Sequence, residues 1–287
     1  MSKNDIQTIS IVGAGWLGLP LGVQLVKEGY VVKGSTTRVE RLVDLEKSGL
    51  QSYHLKVTDK VQYLGGNPQD FFNCDLLVVN IPPRRRQENI EEVYPIQIRT
   101  ILEAAAAPVS YLIFVGSSSV YGNQNTEVTE TSVLKPETAS ARALVEAEKM
   151  VQQSTIPATI LRMGGLAGAN RKLGRFLAGK KDLKNAEAPV NLVHLDDCIA
   201  VIKAVIEQGK WEEIYNVSTD KHPTRRKLYT QQAEQLGLEA PTFLENGKVE
   251  YKLVSNEKVK RELGYQFLWP AHPSSIKPQR LRDCSGF

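Results

Sequence analysis

The stretch Ile6-Gln-Thr-Ile-Ser-Ile-Val-Gly-Ala-Gly-Trp-Leu-Gly18 decides the fold of this chain. Its first half, Ile6 to Val12, is rich in β-branched residues and predicts a buried parallel strand that ends at Gly13. Leucines then recur at helical spacing from Trp16 to Glu28, and Gly29 ends this predicted helix. A buried strand that turns directly into a helix is the opening of a βαβ unit.

Three glycines occupy the turn between this strand and this helix. Gly13, Gly15 and Gly18 form a GxGxxG pattern, in which the glycines permit a tight turn, close approach to a pyrophosphate, and close helix–strand packing. The start of the helix adds backbone N–H groups and a partial positive charge. The pattern predicts a dinucleotide site, with Trp16 and Leu17 of the same loop also against the cofactor. The alternative is a glycine-rich turn that binds no ligand.

Strand and helix patterns continue to alternate through the first half of the chain, which indicates right-handed crossovers and a parallel sheet with helices on both faces. The sequence therefore predicts an α/β fold with a Rossmann-type doubly wound parallel sheet. The predicted strands are 31–35, 52–57, 75–81 and 111–115, and the predicted helices are 38–47 and 90–107.

The second half alternates more loosely. It predicts helices over 138–154, 196–207, 225–236 and 257–263, and strands over 158–162, 190–193, 214–217 and 251–254. We assign residues 1–165 to an NAD(P)-binding domain and residues 166–287 to a small C-terminal α/β substrate lobe. Residues 212–218 are expected to return to the main sheet. Prolines without apolar periodicity predict an extended tail over 270–287.

The end of the second predicted strand discriminates between cofactors. An NAD site places Asp or Glu there for the ribose 2′-hydroxyl, whereas an NADP site places hydroxyl and Arg groups around the 2′-phosphate. This chain has Ser35-Thr-Thr-Arg38, with no acid until Glu40. We therefore expect NADP rather than NAD, with Ser35, Thr36 and Arg38 as phosphate ligands and Arg41 as a helper. The alternative is that Arg38 only begins a solvated helix.

Composition and charge are those of an ordinary globular protein. The chain has 287 residues, of which 41% are hydrophobic and 24% charged. The net charge is only +4, and basic clusters such as Arg84–Arg86 are short and scattered, so nucleic acid is not an expected partner. The three cysteines form no CxxC pair, which predicts reduced thiols in the cytoplasm. No apolar stretch approaches the ~20 residues of a membrane helix.

Five later segments resemble the extended short-chain dehydrogenases/reductases, a group of sugar-nucleotide epimerases and dehydratases. The chain is thus similar to an atypical member of the NAD-dependent epimerase/dehydratase superfamily, because GxGxxG replaces the usual GxxGxxG. The resemblance implies a nicotinamide cofactor and a small polar or nucleotide-linked substrate. The segments are Val115-Gly-Ser-Ser-Ser-Val-Tyr-Gly122, Leu161-Arg-Met-Gly-Gly-Leu-Ala-Gly168, Asn191-Leu-Val-His-Leu-Asp-Asp197, Tyr215-Asn-Val-Ser218 and Glu262-Leu-Gly-Tyr265.

The resemblance also implies catalytic residues, and here the chain departs from the family. A Ser after the fifth strand is matched by Ser117, but the places of the Tyr-x-x-x-Lys pair are taken by Ser140 and Leu144. A serine hydroxyl is not an acid or base near neutral pH, and leucine supplies neither a charge nor a ribose hydrogen bond. Tyr121 is the remaining candidate proton donor, although in the family this tyrosine usually packs and shapes the pocket.

Two functions follow as hypotheses. The first is an NADP-dependent oxidoreductase or epimerase with an unusual acid/base, using Ser117, Tyr121 and Ser140. The second is a non-catalytic NADP-binding redox sensor or scaffold protein. The resemblance further implies a homodimer through the helices 90–107 and 138–154. The apolar stripes of these helices are explained equally well by burial in the core. The Arg84–Arg86 loop either holds an anion or is solvated, and His194 is expected to begin a helix rather than to catalyse.

Overall fold

The computed structural model describes residues 6–65, 68–84, 87–106, 109–168, 170–245 and 247–268. The chain divides into two compact units, and each unit is assembled from separate stretches of sequence. The first unit consists of Met1–Val120, Pro136–Arg162 and Ile199–Tyr215, and the second of Tyr121–Lys135, Met163–Cys198 and Asn216–Phe287.

Strands and helices of the described residues alternate as the sequence predicts. The strands are β1 (Thr8–Val12), β2 (Val31–Thr36), β3 (Gln51–Val57), β4 (Val61–Gly65), β5 (Leu76–Val79), β6 (Tyr111–Ser117), β7 (Glu127–Val128), β8 (Ala158–Met163), β9 (Gly165–Ala167), β10 (Leu192–His194), β11 (Ile214–Val217) and β12 (Leu253–Val254). The helices are α1 (Gly18–Lys27), α2 (Leu42–Lys47), α3 (Pro68–Phe72), α4 (Ile90–Ala105), α5 (Ala139–Gln153), α6 (Gly174–Leu177), α7 (Leu195–Gln208), α8 (Arg225–Glu234) and α9 (Glu257–Leu263).

One eight-stranded sheet, in the order β11-β8-β6-β5-β1-β2-β3-β4, organises the fold. The pairs β1–β2, β1–β5, β2–β3 and β5–β6 are parallel, and β3–β4 is antiparallel. Strand order reverses between β1 and β5, which is the point where doubly wound sheets bind ligands beyond the carboxyl ends of their strands. The Rossmann-type prediction is therefore confirmed.

The apolar runs that predicted the central strands are buried. Ile9 and Ile11 of β1 and all four residues of β5 are at most 1% exposed, as expected for strands covered on both faces. Leu21 and Leu25 of α1 are fully buried, because residues four apart lie on one face of a helix. This packing fixes the loop that joins β1 to α1.

Several elements differ from the sequence predictions. β4 and α3 were not predicted, because β4 is a short edge strand whose Leu64 is 58% exposed, so it lacks a continuous apolar run. The helix predicted over 38–47 begins as a 3₁₀ turn, Val39–Arg41, before α2. β7 and β9, of two and three residues, are too short to show a period.

The division into units does not follow a single boundary after residue 165. Residues 121–135 belong to the second unit, whereas most of α7 and the start of β11 belong to the first. The physical reason is that β11 lies beside β8 at the edge of the main sheet, so the chain enters the first unit again. The tail predicted over 270–287 lies outside the described residues.

Candidate functional site

The loop after β1 is shaped so tightly that two of its positions accept only glycine. Gly13 has φ of +94°, and a Cβ there would lie 2.8 Å from the backbone oxygen of Asn80, which follows β5. A Cβ on Gly18 would lie 2.4 Å from the backbone oxygen of Gly13. The start of α1 is thereby pressed against the turn, as the GxGxxG pattern predicts.

Neighbouring strands hold this loop by hydrogen bonds. The Gly13 N–H donates to Ser35 Oγ at 3.0 Å, and Asn80 Nδ2 donates to the Gly13 carbonyl oxygen at 3.0 Å. The Ala14 N–H donates to the Ser35 carbonyl at 2.8 Å. Ser35 is only 3% exposed, so we reassign it from phosphate ligand to support of the loop. Sequence reasoning did not identify the supporting role of Asn80.

The outer side of the same loop is open. A Cβ on Gly15 would meet no atom within 4 Å, so the backbone is accessible there. Among the described residues, no side chain caps the start of α1 at Leu17, and its first turn carries no acid. An uncapped helix start beside accessible backbone suits an anion, and a dinucleotide pyrophosphate fits this loop. Leu17 is 3% exposed and its side chain packs in the core, whereas Trp16 is half-buried.

Thr36 and Arg38 follow at the carboxyl end of β2. The Arg38 N–H donates to Thr36 Oγ1 at 3.2 Å, and the Arg38 side chain is exposed. Arg41 Nε lies 4.0 Å from Asp44 Oδ2. Because the carboxyl ends of parallel strands share one edge of the sheet, Thr36 and Arg38 belong to the same edge as the glycine loop.

The predicted catalytic serines lie on β6 and α5. Ser117 ends β6, and its Oγ accepts the N–H of Ser119 at 3.2 Å. Ser140 lies in the first turn of α5, with its Oγ 3.2 Å from Thr138 Oγ1, and Thr138 caps the helix by accepting the Ala141 N–H. One turn later, Leu144 is 4% exposed. Leu144, which the resemblance places at the position of the family's lysine, is thus a buried apolar side chain.

Tyr121 lies in the second unit and does not present its phenol to solvent. The residue is fully buried, and its hydroxyl donates to Asn216 Oδ1 at 2.8 Å. The Asn216 N–H in turn donates to Glu130 Oε1 at 2.8 Å. These bonds make Tyr121 a packing residue, and we withdraw it as a candidate proton donor.

A buried ion pair, missed in the sequence, lies inside the first unit. Arg162 of β8 contacts Glu148 of α5 at 2.7 Å, and the two residues are 3% and 1% exposed. Burial raises the pKa of Glu148, and the Arg162 guanidinium opposes that rise. The available signal was a charged residue within a strand, Ala158–Met163, that is otherwise uncharged and mostly apolar.

His194 and two cysteines have structural surroundings. The Asp196 N–H donates to His194 Nδ1 at 3.2 Å, so the imidazole caps the start of α7 in its neutral form. Burial lowers the pKa of His194, and Asp196 and Asp197 oppose this. Burial also raises the thiol pKa of Cys74 and of Cys198, which makes both inert.

The described residues contain no group of three or more His, Cys, Asp or Glu side chains that could hold a metal ion. No helix of the part described is long and apolar enough to cross a membrane. Arg84 is exposed, and Arg85 and Arg86 lie outside the described residues.

The parallel sheet, the glycine loop at its switch point and the open start of α1 define the class of NAD(P)-binding Rossmann proteins. The chain belongs to the NAD dependent epimerase/dehydratase family, whose model matches residues 11–218. It is 35% identical over 272 residues to protein YeeZ of Escherichia coli (strain K12), covering 92% of this chain and 97% of YeeZ.

Solved structures share the fold at low sequence identity. One is a short-chain dehydrogenase/reductase superfamily protein from Agrobacterium tumefaciens with bound NAD, with a TM-score of 0.75, 18% identity, and coverage of 95% of this chain and 96% of that one. Another is UDP-glucuronic acid 4-epimerase from Bacillus cereus in complex with UDP-glucuronic acid and NAD, with a TM-score of 0.77, 18% identity, and coverage of 94% and 96%.

Proposed function

We propose that this chain binds NADP(H) and acts as an epimerase- or dehydratase-like oxidoreductase that lacks a Tyr-x-x-x-Lys pair. Its substrate is a small polar or nucleotide-linked molecule. The observation that carries the proposal is the open backbone at Gly15 beside an uncapped start of α1. Thr36 and the exposed Arg38 supply a hydroxyl and a guanidinium suited to a 2′-phosphate, and no acid precedes Glu40 on this stretch.

In this proposal, the bound nicotinamide supplies or accepts the hydride. Ser117 positions the substrate oxygen, because its hydroxyl lies at the carboxyl end of β6 and, among the described residues, no acceptor takes its proton. Neither Ser117 nor Ser140 ionises near neutral pH, so the proton that accompanies the hydride is exchanged with water. Because the proposal places Leu144 where the family has a lysine, no lysine at this position would hydrogen-bond the nicotinamide ribose.

The second candidate is a non-catalytic NADP(H)-binding redox sensor or scaffold protein. It is favoured by Leu144, which is 4% exposed and has no ionisable group, and by Tyr121, which is fully buried with its hydroxyl donating to Asn216 Oδ1. Turnover of a panel of carbonyl compounds and sugar nucleotides with NADPH separates the two candidates. Turnover that Ser117→Ala abolishes supports the enzyme, whereas tight NADPH binding without any turnover supports the sensor.

Calorimetric titration of NADP and NAD tests the cofactor assignment. We expect Arg38→Ala to weaken NADP binding about ten- to hundredfold, because a hydrogen bond to a charged group contributes about 1.5–3 kcal/mol. NAD binding should change less than about twofold, since NAD lacks the 2′-phosphate. Arg99→Ala on the exposed face of α4 is the matched control and should affect neither cofactor. Equal binding of NADP and NAD by the unmodified protein would contradict the assignment.

The same proposal includes a cytoplasmic location, a small-molecule partner without nucleic acid or membrane, and a homodimer through α4 and α5. Cys74 and Cys198 are buried free thiols, which suits a reducing compartment. Ile96 of α4 is 39% exposed, which gives that helix an apolar side chain to cover.

A further inference from the structure

His54 of β3 lies beside the end of β2 that carries the proposed 2′-phosphate ligands. In the parallel β2–β3 pair, Thr36 is the register partner of His54, and Gly34 is that of Ser52. The side chains of such partners point to the same face of the sheet. A Cβ on Gly34 would lie 3.2 Å from Ala14 Cβ, so this is the face on which the glycine loop lies.

The peptide group between Thr37 and Arg38 is held at both of its polar atoms. Its carbonyl oxygen, on Thr37, lies 3.3 Å from His54 Nε2, and its N–H, on Arg38, donates to Thr36 Oγ1 at 3.2 Å. Because a carbonyl only accepts, the proton in the bond to His54 is on Nε2. The Arg38 carbonyl in turn accepts the Arg41 N–H at 3.1 Å. The backbone is thereby fixed on both sides of the Arg38 Cα.

These bonds orient the Arg38 side chain without burying it. The Arg38 backbone is extended, with φ of −117° and ψ of 113°, and the side chain is exposed. A side chain on a fixed backbone loses less conformational freedom when it binds an anion than one on a mobile loop. Loss of the bond to His54 would free the peptide group to rotate and so weaken binding of an anion by Arg38.

We propose that His54 is a positioning residue that favours NADP over NAD by fixing the direction of Arg38. This inference rests on the proposed cofactor assignment. His54 acts through the peptide group between Thr37 and Arg38, so its effect on binding requires the guanidinium. NAD has no 2′-phosphate and should bind equally well with and without His54.

Calorimetric titration of NADP and NAD with three His54 variants tests the proposal. The amide nitrogen of Gln is as many bonds from Cβ as His Nε2 and also donates, whereas the amide nitrogen of Asn is one bond closer. We expect His54→Leu and His54→Asn to raise the Kd for NADP about three- to tenfold, as for the loss of one hydrogen bond. His54→Gln should restore this Kd to within about twofold of the unmodified protein, and the Kd for NAD should change less than about twofold throughout.

Two controls show whether the effect passes through Arg38. Ser52 lies on the same face of β3, but its Oγ donates to Glu46 Oε1 of α2 at 2.6 Å, so Ser52→Ala should change neither affinity. In an Arg38→Ala protein, His54→Leu should not weaken NADP binding further, because no guanidinium is left to position. Thermal melting checks that each variant is folded, and the comparison of His54→Asn with His54→Gln carries the test if the leucine variant does not fold.

The outcomes separate this inference from the cofactor assignment. An unmodified protein that binds NADP no more tightly than NAD would overturn both. A preference for NADP that persists in His54→Leu and His54→Asn would overturn the positioning role alone. Equal weakening of NADP and NAD binding would also overturn that role, as would effects of His54→Leu and Arg38→Ala that simply add.

Discussion

Glu148 and Arg162 illustrate how single residues constrain the first unit. Both charges are buried, and Arg162 Nε and Nη2 contact Glu148 Oε2 at 3.1 and 2.7 Å. The attraction between two such charges is largely offset by the loss of their hydration, so the intact pair adds little net stability. Removal of Glu148 is different, because the Arg162 charge then stays buried without this carboxylate.

We therefore expect Glu148→Gln to lower the free energy of unfolding by about 3–5 kcal/mol. Chemical denaturation measures the change. Arg142→Gln in the same helix is the control, because its pair with Glu91 is exposed and should matter little. A Glu148→Gln protein as stable as the Arg142→Gln protein would show that water or another group neutralises Arg162.

At the scale of elements, the glycines in the loop between β1 and α1 have different roles. Gly13 and Gly18 are needed for the fold of the connection, since a Cβ on either would overlap backbone. Gly15 is needed only for access, since a Cβ there meets nothing within 4 Å. Stability and cofactor binding should therefore respond separately to substitution.

Gly15→Ala should leave the melting temperature unchanged and weaken NADP(H) binding, because its methyl group would stand where the pyrophosphate approaches the backbone. Gly18→Ala should lower the free energy of unfolding by about 1–3 kcal/mol and also weaken binding. Thermal melting and calorimetry on both variants check this pair. Equal stability of the two variants would contradict the separation of roles.

At the scale of the whole molecule, the two units are interleaved along the chain. The first unit is left after Val120, entered again at Pro136, and completed by Ile199–Tyr215. This last stretch supplies most of α7, whose Val201, Ile202 and Val205 are fully buried. It also supplies the start of β11, the strand beside β8 at the sheet edge.

A fragment of residues 1–165 should consequently fail to fold cooperatively, although the sequence suggests it as a domain. It lacks α7, so apolar surface is left uncovered, and it lacks β11, so β8 becomes an unpaired edge. Circular dichroism melting and size-exclusion chromatography, with the full chain as control, measure the outcome. A monomeric fragment with a sharp thermal transition would refute this expectation.

Local signals explain how much of the fold and site could be predicted. The strands β1 and β5 are continuous apolar runs, and Gly13, Gly15 and Gly18 have backbone requirements that depend on near neighbours, so both the sheet and the loop were accessible to prediction. The edge strand β4 was missed because its half-exposed residues carry no such signal.

Contacts between distant positions were not predictable in this way. Ser35 accepts a hydrogen bond from Gly13, 22 positions earlier, and Tyr121 donates to Asn216, 95 positions later. Neither residue type reveals its partner. Ser35 was therefore expected to bind phosphate, although it supports the glycine loop, and Tyr121 was expected to donate a proton, although it is a buried packing residue.

By itself, the sequence determined the doubly wound α/β class and the glycine loop, and it predicts that Ser140 and Leu144 take the places of the Tyr-x-x-x-Lys pair. Tertiary structure alone decided which polar groups are satisfied inside the protein, including Ser35, Tyr121 and Arg162, and which are not, such as Arg225 Nε. Backbone periodicity and glycine geometry are local properties of the chain, whereas burial and hydrogen-bond satisfaction depend on segments brought together only by folding.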